Sequence, residues 1–159
     1  MVYYCKNPYQ SQRTTDVNGI AGIQYVRDSL HRVVKLMYIG LDGNLKSDEH
    51  GVAYKKYGYN EKGYLTISEY YNLQGNLQNN ELGWAKAIVE YNSNGYYTRE
   101  CLFGNDGKIC KSIRGESITK YVWQDNTMCR SFFDEEETPI ILHGSAAVPG
   151  GYHMLKETY

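Results

Sequence analysis

Proline is scarce in this chain, with 3 residues in 159, and that composition excludes collagen-like and proline-rich linker classes. Aliphatic residues are also few. Ile, Leu, Val and Phe together reach about a fifth of the sequence, close to the composition at which chains cease to fold. Disorder also requires a high net charge, and here 17 basic residues stand against 18 acidic ones, for a net charge of −1. That balance argues against a nucleic-acid partner held by phosphate neutralisation and against polybasic attachment to a membrane. No apolar run approaches the roughly 18 residues that span a bilayer, so membrane insertion is not expected. The N-terminus, MVYYCKNPYQSQR, has no charged flank followed by an apolar run, so no signal peptide is expected in this chain.

Chemistry-bearing motifs are absent as well. No HExxH, GxSxG, Walker or GxGxxG context occurs, which leaves no catalytic residue, metal site or cofactor to expect and predicts a protein that is not an enzyme. The four cysteines (Cys5, Cys101, Cys110, Cys129) form no CxxC pair and do not all recur at one position of a repeat. A disulfide framework or zinc site would need such order, so they read as isolated thiols packed as small apolar side chains. Of the histidines, His31 falls where a turn glycine is expected and His50 ends a polar linker. Gly104-Asn105-Asp106-Gly107 and Asp42-Gly43-Asn44 lack the twelve-residue ligand spacing of an EF-hand and read as turns. The acidic run Asp134 to Glu137 reads as a solvated loop.

What the chain has is tyrosine and glycine: 17 Tyr and 16 Gly, with 2 Trp and 3 Phe. Tyrosine supplies the apolar area that the aliphatics do not. The glycines are periodic, with Gly19, Gly51, Gly83 and Gly115 each 32 residues apart. Two residues after each lies Ala21, Ala53, Ala85 and then Ser117; six after lies Tyr25, Tyr57, Val89 and Tyr121. A second glycine column, Gly43, Gly75 and Gly107, is followed two residues later by Leu45, Leu77 and Ile109. Self-similarity at a fixed period marks a repeat array. It divides the chain into a partial repeat or cap at 1–18, four units at 19–50, 51–82, 83–114 and 115–146, and a partial fifth repeat or cap at 147–159. The fourth unit is degraded, with Thr127 and the acidic run standing where turn glycines would be.

Each unit carries two runs rich in Tyr, Val, Ile and Thr, divided by turn chemistry such as Asn60-Glu61-Lys62-Gly63 and Asn72-Leu73-Gln74-Gly75. Asn or Asp opening a four-residue segment that ends in Gly fits a type I turn followed by a left-handed glycine. The prediction is an all-β fold of tandem antiparallel hairpins forming either an elongated twisted sheet or a superhelical array, with positive φ at Gly63, Gly75, Gly95 and Gly107. A bulge register places Tyr71 opposite Leu77, Ile39 opposite Leu45 and Phe103 opposite Ile109, apolar against apolar in every unit. It also sends Cys101 and Cys110 to opposite faces, so the two cannot be bridged. The polar stretch from Asn76 to Leu82 is either a short third strand or an ordered loop. The small column at Ala21, Ala53 and Ala85 lets units approach, and Tyr57 and Val89 beside it are expected to be buried.

Tyr57-Gly58-Tyr59-Asn60-Glu61-Lys62-Gly63-Tyr64-Leu65 and Tyr70-Tyr71-Asn72-Leu73-Gln74-Gly75-Asn76-Leu77 resemble the bacterial YD repeats of rearrangement-hotspot (Rhs) and teneurin-type proteins, in a long-period form with Asn in place of Asp. The resemblance runs from about residue 19 to 142. It implies a structural or binding repeat module of a larger bacterial surface or secreted protein, and brings no catalytic residue with it. A weaker similarity joins Gly83-Trp84-Ala85-Lys86 and Asn94-Gly95-Tyr96-Tyr97 to choline- and glucan-binding cell-wall repeats. The alternative function is therefore a carbohydrate or cell-wall binding module whose exposed aromatics Tyr59, Trp84, Tyr91, Tyr96, Tyr97 and Trp123 stack on sugar rings. The competing account of these six is that they form the core. The expected partner is a protein or a glycan.

Overall fold

In a computed structural model, the backbone is described for residues 2–4, 14–124, 127–142 and 155–158, and side chains for 14–124 and 127–142. The expected caps at 1–18 and 147–159 lie largely outside the described residues. Ten strands form one antiparallel sheet in the order of the sequence: β1 (Val2–Tyr4), β2 (Gly22–Arg27), β3 (Val33–Ile39), β4 (Tyr54–Tyr59), β5 (Leu65–Tyr71), β6 (Lys86–Tyr91), β7 (Tyr97–Phe103), β8 (Ile118–Gln124), β9 (Thr127–Phe133) and β10 (Leu155–Thr158). The described residues contain no helix. Among the described residues, strands touch only their neighbours in sequence, so the sheet they form is open and a single layer thick.

The predicted turn chemistry is present in atomic detail. Gly63, Gly75, Gly95 and Gly107 have φ of +84°, +83°, +85° and +77°. His31 takes the same conformation at φ +61°, and Glu137 does so at the end of the acidic run in the degraded fourth unit. At Asn60 the loop is closed three ways. The Gly63 N–H donates to the Asn60 carbonyl, the Asn60 N–H donates to the Tyr64 carbonyl, and the Asn60 side-chain oxygen accepts from the Tyr64 N–H at 2.9 Å. The bridges Tyr71–Leu77, Ile39–Leu45 and Phe103–Ile109 form in the predicted register. Cys101 is a buried thiol and Cys110 a half-buried one, and both are free.

The segment between units is an ordered loop built around a third turn. After the Tyr71–Leu77 bridge, the chain turns through Asn80 to Gly83, where the Gly83 N–H donates to the Asn80 carbonyl and the Asn80 side chain accepts from Leu82. Asp16–Gly19, Asp48–Gly51 and Ser112–Gly115 repeat that geometry. The signal lies in the sequence, since Asp, Asn or Ser stands three residues before each unit's first glycine.

Ala21, Ala53, Ala85 and Ser117 are completely buried, as the small column requires. Val52, Ile39, Ile118, Leu102 and Phe132 complete the core around them. Tyr57 and Val89 are half-buried rather than buried. The reason is architectural: a one-layer sheet has no second layer to cover large side chains, and only residues at the junction between units are enclosed from every side. Shared burial with neighbouring rings still pushes the Tyr57 and Tyr38 hydroxyls up to about 12.

Candidate functional site: an aromatic cleft

Strand alternation carries Ala53, Lys55 and Tyr57 to one face of the sheet, together with their counterparts Ala85, Ala87 and Val89. On that face, where the third unit meets its neighbours, a cleft of about 280 Å³ opens. Trp84, Tyr91, Tyr97 and Tyr121 form its aromatic walls, Ala87 and Val89 lie at small positions, and Glu100 brings a carboxylate into it. Tyr91 and Tyr97 have ring centroids 5.0 Å apart, and Tyr97 and Tyr121 5.8 Å. Glu100 accepts a hydrogen bond from the Tyr121 hydroxyl at 3.3 Å. Burial raises the Glu100 carboxyl above its ordinary range; Tyr121 and Arg130 oppose the rise and Glu116 adds to it.

Of the six aromatics singled out by sequence, the cleft gathers Trp84, Tyr91 and Tyr97. Trp84 also meets Tyr70 edge-on at 5.0 Å. Tyr96 and Trp123 stack on one another at 4.7 Å away from the cleft lining. Tyr59 sits one repeat earlier, with the Arg32 guanidinium 4.7 Å from its ring centroid. Glu100 and Tyr121, with Leu65 and Ser68 from the second unit, also line the cleft and were not among the six. Glu100 departs from its repeat column, which holds Leu36 and Ser68 in the two units before, whereas Tyr121 keeps the tyrosine of Tyr25 and Tyr57 and it is Val89 that departs.

Three of the six have a structural task. The Tyr59 hydroxyl donates to the Val33 carbonyl at 2.8 Å, the Tyr91 hydroxyl to the Leu65 carbonyl at 2.6 Å, and the Trp123 indole N–H to the Tyr97 carbonyl at 2.8 Å. Each link reaches back 26 residues, from the first hairpin strand of one unit to the second strand of the unit before. The aromatic column is thus a row of staples between repeats. The bulges that shift register at Gly58/Tyr59 and Glu90/Tyr91 lie at the two tyrosine staples.

No protein-family model matches the chain, and no curated protein matches it either.

Proposed function

We propose that this chain is a non-catalytic scaffold and binding module, a run of repeats from a larger bacterial surface or secreted protein. The observation that carries the reading is the row of staples at Tyr59, Tyr91 and Trp123, together with contacts confined to sequence-adjacent strands. An array built this way gains stability from each interface and can be lengthened without redesign. The likeness to YD-type repeats supports the surface or secreted setting. The test is an in-frame deletion of residues 51–82, one whole unit. A nearest-neighbour array stays folded and loses about a quarter of its denaturant m-value, which scales with the surface exposed on unfolding. Collapse of the β signal in circular dichroism would refute the scaffold reading.

A second reading, carbohydrate binding, is favoured by the hairpin tip, where Tyr96 and Tyr97 each keep 45% exposure and Tyr96 stacks on Trp123. Wall glycans that shift Trp fluorescence in the parent chain and not in Tyr96→Ala would support it; a silent glycan array would remove it.

A further inference from the structure

On the sheet face opposite the cleft, basic residues face each other at two repeat junctions. Lys35 pairs with Lys56 where β3 meets β4, and Arg99 pairs with Lys120 where β7 meets β8. The two pairs hold the same repeat positions, two units apart. The ring beside each also corresponds. Lys56 lies 4.7 Å from the Tyr71 ring centroid and Lys120 lies 4.5 Å from that of Phe133. Tyr71 and Phe133 end β5 and β9 and make the matching bridges to Leu77 and Pro139.

The fourth unit neutralises its pair. Glu137 sets one carboxylate oxygen 2.7 Å from the Arg99 guanidinium and the other 2.7 Å from the Lys120 ammonium. Glu90, across the strand pair from Arg99, lies 3.8 Å from it. At the Lys35–Lys56 pair both carboxylates are missing. Glu137 is the fourth residue of the turn that opens at Asp134, and the fourth residue of the matching turn from Asn72 is Gly75, with the same positive φ and the same closing N–H-to-carbonyl bond. Val26 stands opposite Lys35 where Glu90 stands opposite Arg99. Glu69 does face Lys56 and attracts it, but its Oε1 lies 3.2 Å from the Lys86 ammonium and its Oε2 accepts from the Tyr71 hydroxyl at 2.7 Å. Three lysines therefore share one carboxylate here, whereas Arg99 and Lys120 have two. Among the described residues, neither Lys35 nor Lys56 forms a salt bridge. Like charges directly opposite one another on a sheet cost stability. An anion between them removes that cost and gains charge-assisted hydrogen bonds. The two ammonium groups stand 4.2 Å and 6.0 Å from one ring centroid, that of Tyr54, and a Cβ at Gly75 would lie 3.5 Å from the Tyr54 hydroxyl. The pair, the ring and the turn that lacks a carboxylate are thus neighbours.

We infer that Lys35 and Lys56, with the Tyr54 hydroxyl beside them, bind an external carboxylate, which takes the part that Glu137 plays for Arg99 and Lys120. Its chemistry is that of an acidic side chain on a partner polypeptide or of a small free carboxylic acid. The inference rests on the binding half of the proposed function, at a different face from the aromatic cleft, and leaves the scaffold half untouched.

The test follows the Cε–Hε signals of Lys35 and Lys56 by NMR while the intact chain is titrated with sodium acetate, with sodium chloride at equal ionic strength as control. A Gly-Glu-Gly peptide with blocked ends forms a second titration. The expected result is a saturable shift of both lysines with acetate that chloride does not produce. Lys56→Met keeps an unbranched side chain beside Tyr71 and weakens the shift at Lys35 at least about tenfold, equivalent to the strength of one charge-assisted contact. Gly75→Glu installs the fourth unit's carboxylate and abolishes the acetate shift, because the protein's own carboxylate then fills the site. Gly75→Gln carries the same backbone change without the charge and keeps the shift. Equal loss in both Gly75 variants would trace to the backbone, and Lys56→Met then decides. A peptide that binds more tightly than acetate identifies a polypeptide source, and equal or weaker binding identifies a small acid. No saturable shift, or unchanged affinity in Lys56→Met with an intact melt, would overturn the inference. A glycan that binds at the aromatic cleft while acetate leaves both lysines unmoved would overturn this site and spare the binding reading, and the deletion of residues 51–82 tests the scaffold separately.

Discussion

The Tyr91 hydroxyl donates its hydrogen to the Leu65 carbonyl across the boundary between two repeats, at 2.6 Å. Removing the oxygen and keeping the ring separates the staple from the packing. Tyr91→Phe leaves the stacks with Tyr64 and Tyr97 possible and strips the Leu65 carbonyl of this donor. It is expected to lower stability by about 1 kcal/mol. Tyr59→Phe, at the equivalent link to Val33, should cost about as much by the same reasoning. Urea denaturation of each single variant and of the pair checks this, and additive losses are expected for two separate interfaces.

Ser117 interrupts a column that is otherwise alanine, is fully buried, and its hydroxyl has no hydrogen-bond partner. Ser117→Ala removes an unsatisfied polar group and restores the column. It is expected to leave stability unchanged or raise it by about 1 kcal/mol. Ala85→Leu, at the equivalent position one unit earlier, should overpack the junction and cost about 1–3 kcal/mol. Thermal melts of the two variants should move in opposite directions, or the first not at all.

His31 holds φ +61° where the second and third units place Gly63 and Gly95. The left-handed region costs a side-chain-bearing residue roughly 1–2 kcal/mol, so His31→Gly should recover part of that, less the entropy glycine loses on folding. The Arg27 guanidinium donates to the His31 backbone carbonyl, a contact the substitution keeps. The reverse change, Gly95→Ala, meets φ +85° and also drives its Cβ into the Tyr64 ring. It should destabilise by at least about 1 kcal/mol and disturb the Tyr64–Tyr91 stack, visible as a lower melting temperature and a changed near-ultraviolet aromatic signal.

Two sets of carboxyls respond to pH in opposite senses. Lys120 first, and then Arg99, hold the Glu137 carboxyl below the usual carboxylate range. A depressed value means that its stabilisation is present above the unfolded-state pKa and is lost as pH falls through the folded-state value. The Glu100 carboxyl is raised by burial, so its protonated form favours the fold. That stability is fully present below the unfolded-state pKa and is lost as pH rises through the folded-state value. Glu100→Gln should therefore flatten the decline in melting temperature on the alkaline side of the carboxylate range, and Glu137→Gln the decline on the acid side. Melts from about pH 3 to about pH 8 cover both, since that window brackets ordinary carboxyl titration. An unchanged profile in Glu100→Gln would count against the buried carboxyl as the source.

Turn chemistry is where the sequence by itself determined this protein. Asn60, Gly63, Asn72 and Gly75 specify their loops through contacts spanning three or four residues, and that short range is why the 32-residue period, the hairpins and the Tyr71–Leu77 register are legible from the chain alone. The small column at Ala53 and Ala85 is legible for a related reason, because strand alternation carries a repeated position to one face in every unit. The third turn at Asn80–Gly83 is equally local, and its asparagine-to-glycine spacing marks it without any tertiary information. Side-chain surroundings are a different matter. Tyr57 has the burial-seeking character of a core residue, yet it stays half-exposed because the sheet gains no second layer. Tyr91 has the look of a sugar-stacking aromatic, yet its hydroxyl reaches a carbonyl 26 residues back, which only the pairing of β5 with β6 and the bulge at Glu90/Tyr91 brings within range. The cleft likewise depends on tertiary structure: Trp84, Glu100 and Tyr121 belong to two different units and meet because adjacent hairpins lie side by side in one sheet, a juxtaposition that no local pattern encodes.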